Sequence, residues 1–318
     1  MGAVDGRTPR RGTATRTGRT LTAVGDVLEL VRAPAALTVI GDAIAGGYAG
    51  GGRLAGRRWL LPLASVFLYS GGMALNDYAD RRLDAVERPE RPIPSGRVPP
   101  RRALGIAAAC MAVGVGLAAT GGGRRGLAVA VPLVGAVVAY NTVFKETAAG
   151  PLSMAACRGL DVMMGARGVA TALPAATVVA VHTAGVTAQS RGEVHGGSTG
   201  VALAGLAVTG ATTIAAVGGG RADDVPGRGS RTRVAATAGA VAGGIAYAGT
   251  LLPSQLAALA DPSAANVRTA TRAGIGAMIP LQATLVARTG AVVPAAAIGA
   301  LDLVRRALAA RRRAGDVT

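Results

Sequence analysis

The chain has 318 residues; half are hydrophobic, 48 are glycine and only 3% are aromatic. Charged residues make up 16%, against roughly 25% in an ordinary soluble domain, and a mean hydropathy of +0.41 excludes a wholly disordered chain. The net charge of +17 would suit a nucleic-acid partner, but the arginines fall in gaps between apolar stretches, the pattern of a membrane protein, so no nucleic acid is expected.

In chain order, residues 1–20 carry Arg7, Arg10, Arg11, Arg16 and Arg19 without an apolar run. They read as a disordered basic tail, not a signal peptide. Apolar segments of about 17–22 residues follow, each long enough to cross a bilayer core of about 30 Å as a helix. They lie near 33–51, 59–75, 103–120, 126–144, 152–171, 173–188, 201–217, 234–252 and 290–309. A shorter stretch at 273–286 carries Gln282 and either spans or lies in the interface. The expectation is an all-α integral membrane protein of about nine helices, with one transmembrane domain over 21–310 and a basic tail at 311–318. Glycines four apart, as in Gly46–Gly50 and Gly239–Gly243, suit close helix packing in lipid. Cys110 and Cys157 match no metal or redox spacing and read as buried free thiols.

Arginine counting gives the orientation. The gap between the second and third spans holds Arg81, Arg82, Arg88, Arg91, Arg97, Arg101 and Arg102. With the basic tail inside and two spans crossed, that gap also faces the cytoplasm of a multi-pass cell-membrane protein. Arg53, Arg57 and Arg58 in the first outside gap run against this assignment.

The same gap carries the chemistry. Asp77, Asp80, Asp84, Glu87 and Glu90 place five of the chain's 17 acids within fourteen residues. Asp77, Asp80 and Asp84 stand at i, i+3 and i+7, and Asn76 joins them through i+4 steps, so all four share one face of a helix continuing the second span. Carboxylates so crowded need positive charge between them. Mg²⁺ fits, since it takes oxygen ligands and is shared with substrate phosphates. Pro89, Pro92 and Pro94 then end the helix, and Arg88, Arg91 or Arg97 can grip phosphate oxygens. A solvated loop of balanced charges is the competing reading.

The string Asn76-Asp77-x-x-Asp80-x-x-x-Asp84, followed by Arg91-Pro92-Ile93-Pro94-Ser95-Gly96-Arg97-Val98, resembles the first acidic motif of the UbiA family of membrane prenyltransferases. The resemblance implies a helical bundle around a central cavity. It also implies transfer of a prenyl group from a polyprenyl diphosphate to a small lipophilic, often aromatic, acceptor with Mg²⁺. By resemblance Asn76, Asp77, Asp80 and Asp84 belong to the metal–diphosphate site, with Asp77 and Asp80 catalytic. Lys145, the chain's only lysine, matches the family's basic residue at the end of the fourth span, and Arg32 resembles an arginine before the first. Tyr48, Tyr69, Tyr78, Tyr140 and Phe144 crowd the first half and either steady an allylic cation or simply pack.

Arg158 and Asp161, at i and i+3 inside the fifth span, are either an ion pair or, for Arg158, a diphosphate ligand. The second aspartate-rich motif of the family is reduced here to Glu193, in a stretch from His182 to His195 that resembles an EboC-like branch. Arg191 is expected to neutralise diphosphate where a second cation would otherwise sit. His182 reads as a core histidine or a base. The missing motif leaves a second reading open, a lipid or metabolite carrier that kept the fold and lost turnover. A membrane phospho-alcohol transferase ranks last, because its Asp-Gly…Ala-Arg opening is absent.

Overall fold

The structure is a computed structural model that describes residues 24–33, 37–219 and 230–315, with side chains described as far as Leu303 and with that of Leu37 excepted. The tail at 1–20 and the Asp223–Asp224 pair lie outside the described residues. A short helix over 24–30 (α1) precedes α2 (Leu37–Ala49), α3 (Leu60–Glu87), α4 (Pro100–Ala139), α5 (Gly150–Gly165) and α6 (Leu173–Ser190). Then come α7 (Thr199–Gly218), α8 (Ser230–Ala260), α9 (Ala264–Ala287) and α10 (Val292–Gly315). No strand occurs among the described residues. α10 takes in 311–315, where the sequence suggested a tail.

Each apolar segment is helical, but not every one is long and apolar enough to cross a membrane on its own. Among the described residues, five helical stretches are long and apolar enough to cross a membrane: Gly56–Glu87, Pro100–Phe144 (which holds two arms), Ala170–Ser190, Thr199–Gly218 and Ser230–Ala260. The difference is physical. α2 and α5, at 13 and 16 residues, fall short of the roughly 20 needed for a full crossing. They bury themselves against each other instead: a Cβ on Gly46 would lie 1.8 Å from the Val162 carbonyl oxygen, so only glycine permits the approach.

α4 is a hairpin of two helices. Gly123, at φ 64° and ψ −156°, takes a backbone conformation closed to side-chain-bearing residues. A Cβ on Gly126 would lie 2.5 Å from the carbonyl oxygen of Ala118, eight residues earlier, a separation that one continuous helix makes about 12 Å. Both arms pack on α3 through Leu61, Ala64, Leu68, Ala118, Ala130 and Leu133. This is the pair of spans the sequence placed at 103–120 and 126–144.

α2, α3, the second arm of α4, α5, α6 and α9 border a half-open cavity of about 340 Å³. Its lining runs from Arg32, Asn141 and Ser190 at the end nearer the acids of α3 to Ser65, Asp161, Leu133, His182 and Met278 at the far end. α9 closes one side and is buried continuously from Gly276 to Ala287. Over the end nearer the acids, α1 is held by the fully buried Leu30, packed with Leu75, Ile93 and Val98. Arg97 ties it further through Asp26 at 2.6 Å and Glu29 at 2.8 Å, carboxylates that raise the pKa of that exposed guanidinium.

Candidate functional site

The acidic strip forms because α3 continues past the bilayer-length part of its sequence to Glu87 without a helix breaker. Asp77 and Asp84 are buried along it, at 5% and 3% exposure, although both are acids. Burying carboxylates demands partners, and they come from three other elements. Arg32 Nη2 lies 3.1 Å from Asp77 Oδ1. Arg91 Nη1 lies 2.6 Å from Asp84 Oδ2 and 3.6 Å from Asp77 Oδ1, so one guanidinium serves both acids. Lys145 pairs with Asp80. Arg32 stands at φ 49°, a left-handed conformation that costs a non-glycine residue about 1 kcal/mol or more. Its guanidinium reaches Asp77 from that strained turn.

Lys145 reaches the strip through a widened turn. Tyr140–Phe144 is π-helical, with the Lys145 amide donating to the Tyr140 carbonyl at 2.9 Å. It presents Asn141 and Lys145 to Asn76 and Asp80: Asn76 Nδ2 donates to Asn141 Oδ1 at 3.1 Å, one turn from the Lys145–Asp80 pair. Such turns often mark functional positions. A second recess of about 470 Å³ opens beside them, lined by Tyr78, Asp80, Asn141, Lys145 and Glu146.

The donor set fits one hard divalent cation. Asp77 and Asp84 present oxygens toward a single point where positive charge is already accommodated by Arg91. The four residues do not converge as the sequence implied, because Asn76 turns to Asn141 and Asp80 to Lys145. Among the described residues no group of three or more His, Cys, Asp or Glu stands together as a metal cluster.

Other expected ligands lie elsewhere. Arg158 pairs with Asp42 of α2, Nε to Oδ2 at 2.9 Å, and neither reaches the strip nor bridges to Asp161. Asp161 instead accepts a hydrogen bond from Ser65. Arg191 donates to the Thr147 carbonyl in the α4–α5 connection, an exposed contact that occupies it away from the acids. The Glu193 carbonyl accepts from Arg268 Nη1 at 2.7 Å. Arg88 is the exposed residue that caps α3, with no ion pair to the acids among the described residues. His182 is the core histidine: Nδ1 stands 2.8 Å from Tyr247 Oη and Nε2 3.1 Å from the Gly274 carbonyl oxygen. Of the aromatic residues singled out, Tyr69 and Tyr140 face the cavity, and Tyr78 stacks under Arg81 at 4.4 Å. Cys110 and Cys157 are free thiols.

Sequence reasoning missed Asn141, Ser65 and Asp42. Asp42 had a signal, an acid within an apolar span. Asn141 had one too, standing four residues before the chain's only lysine.

Comparison with known proteins fits this geometry. Digeranylgeranylglyceryl phosphate synthases of Methanopyrus kandleri and Natronomonas pharaonis are 49% and 39% identical over 96 and 129 residues, 29% and 38% of this chain. The matched stretches span 34% and 44% of those relatives' lengths, so the chain covers less than half of either. The fold matches a solved structure concerning digeranylgeranylglyceryl phosphate synthase in membranes, with a TM-score of 0.58 at 14% identity over 85% of this chain and 99% of that one. It also matches a UbiA homologue from Aeropyrum pernix, with a TM-score of 0.59 at 19% identity over 78% of this chain and 97% of that one. Residues 38–190, which hold the acidic strip, Lys145 and most of the cavity wall, match the model of the UbiA prenyltransferase family.

Proposed function

We propose that the protein is a multi-pass membrane prenyltransferase that moves a prenyl group from a polyprenyl diphosphate to a lipophilic acceptor and releases diphosphate at the acidic strip. One observation carries this reading: three acids of α3, matched by Arg32, Arg91 and Lys145 from separate elements, at one end of an apolar cavity. Phosphate oxygens compete with the carboxylates for those three cations. Arg91 and Arg32 grip them as planar forks and Lys145 as a point charge.

Asp77 and Asp84 would hold a Mg²⁺ ion, which would supply charge neutralisation for the leaving diphosphate. The chain's own residues do the rest. The cationic side chains stabilise the charge that develops as the allylic C–O bond breaks. The cavity keeps water from the carbocation, and the Tyr69 and Tyr140 rings offer their π faces to it. The acceptor attacks the allylic carbon and loses a proton.

The names of the relatives put a glyceryl phosphate lipid first among acceptors to assay. An aromatic acceptor comes second, and the EboC-like wording of 182–194 leaves that choice to experiment. The arginine pattern supports a cytoplasmic position for the strip. No feature among the described residues favours the carrier reading. The test is release of diphosphate by purified protein from geranylgeranyl diphosphate and its shorter homologues, with and without Mg²⁺ and with each acceptor. Release that needs Mg²⁺ and vanishes in Asp77→Ala and Asp80→Ala is the expected result; none with any donor or acceptor ends the reading.

A further inference from the structure

The end of the bundle away from the acids carries charge that the proposed reaction does not use. Arg53, Arg57 and Arg58 lie in the α2–α3 connection, Arg124 and Arg125 at the turn between the α4 arms, and Arg167 in the α5–α6 connection. No Asp or Glu occurs in residues 50–59, 120–126 or 166–172, the three stretches that hold these six arginines. The stretches pack together. A Cβ on Gly121 would lie 3.0 Å from the Arg57 carbonyl oxygen, and one on Gly122 would lie 3.5 Å from Arg167 Cγ. Thr171 Oγ1 donates to the Ala49 carbonyl at 3.1 Å, which ties the α5–α6 connection to the end of α2.

The two ends of the bundle treat their cations differently. At the acidic end Arg32, Arg91, Arg97 and Lys145 each meet a carboxylate. At the opposite end, among the described residues, the six arginines make one side-chain hydrogen bond, from Arg58 Nη1 to the Arg53 carbonyl oxygen at 3.4 Å. Arg53, Arg57, Arg124 and Arg125 are exposed, while Arg58 and Arg167 are half-buried. Arg167 stands at φ 57°, in the left-handed region, and among the described residues its buried Nε has no hydrogen-bond partner. Guanidinium groups crowded without carboxylates repel one another, so the patch draws counter-ions from its surroundings.

Depth in the bilayer selects the counter-ion. Leu60, the first residue of α3, precedes Asp77 by 17 residues, about 26 Å along the axis, against a bilayer core of about 30 Å. With the acids at one membrane surface, the arginines therefore lie at the headgroup layer of the other. Trp59, the chain's only tryptophan, is 52% exposed beside them, the position an amphipathic ring takes at a membrane interface. Guanidinium forks match the free oxygens of a phosphodiester. We infer that this patch is a binding site for anionic phospholipid headgroups in the leaflet opposite the acidic strip. It gives a role to arginines that run against the charge asymmetry of that side, and it is independent of the prenyl-transfer chemistry.

The experiment places the purified full chain in phosphatidylcholine vesicles. It reads quenching of Trp59 by brominated phosphatidylglycerol or brominated phosphatidylcholine at equal mole fraction. As the only tryptophan, Trp59 reports from this end alone. Phosphatidylglycerol is expected to bind in preference to phosphatidylcholine by about tenfold. Arg124→Gln together with Arg125→Gln should lower that preference by about fivefold or more. Arg101→Gln together with Arg102→Gln removes the same charge from the start of α4, at the acidic end, and should leave the preference unchanged. All four positions are exposed, so folding is not at stake. Inorganic diphosphate should not displace the lipid. Equal quenching by the two lipids, equal loss in the two double variants, or a preference unmoved in both overturns the inference. Displacement by inorganic diphosphate also overturns it, by showing a site for a soluble anion.

Discussion

Asp77 and Asp84 share one guanidinium while Asp80 has a lysine of its own, so the two parts of the strip are separable by mutation. Asp77→Asn removes a group with two cationic neighbours and is expected to lower kcat by about 10²-fold or more, read as diphosphate release under saturating donor. Lys145→Gln should act chiefly on donor KM, and Lys145→Arg should not restore it, because a planar fork replaces a compact charge. The common face of Asn76, Asp77, Asp80 and Asp84 was legible from spacing alone. Their partners were not. Arg32 meets Asp77 across 45 residues and Lys145 meets Asp80 across 65, and no local pattern encodes a pairing at that range. The same blindness made Arg158 and Asp161 look like partners, when each is committed to a different helix.

Among the elements, close approach and helical phase matter more than side-chain bulk. Gly46→Leu drives a Cβ into the Val162 carbonyl and should cost about 1–3 kcal/mol or more, seen as a lower melting midpoint in detergent. Gly135→Ala in α4 meets nothing within 4 Å and should be neutral or stabilising by up to about 1 kcal/mol. The π turn at Tyr140–Phe144 makes a sharper prediction. Deleting the exposed Val143 restores the narrower α turn, in which the fourth residue after Tyr140 takes the place of the fifth, so Lys145 keeps its side of the helix. Diphosphate release should then fall far less than in Lys145→Gln, with little loss of stability. The break between the α4 arms was readable, since 121–125 is a run of Gly and Arg between two apolar segments. The π turn was not, because Tyr-Asn-Thr-Val-Phe contains no breaking residue.

For the whole molecule, the helical class and the place of each segment followed from apolar length. Which segments are long enough to cross on their own did not, because burial of α2 and α5 against each other substitutes for length. Topology is testable by cysteine labelling in a background of Cys110→Ala and Cys157→Ala. Val86→Cys, exposed near the end of α3, should react with an impermeant maleimide from the cytoplasmic side only. Arg124→Cys, exposed beside the Gly123 turn, should react only from the opposite side. The reverse pattern would invert the assigned orientation.

The hydrogen bonds from Gln282 to Thr38 and Asp42 join positions 244 and 240 apart, and they lock a latch that the family-matched segment, ending at residue 190, does not contain. A fragment stopping at 225 would therefore present a trough open along the side that α9 covers in the intact protein. Supplied separately in the same cell, residues 226–318 should seal that trough and restore turnover, and Gln282→Leu in the supplied piece should prevent the repair.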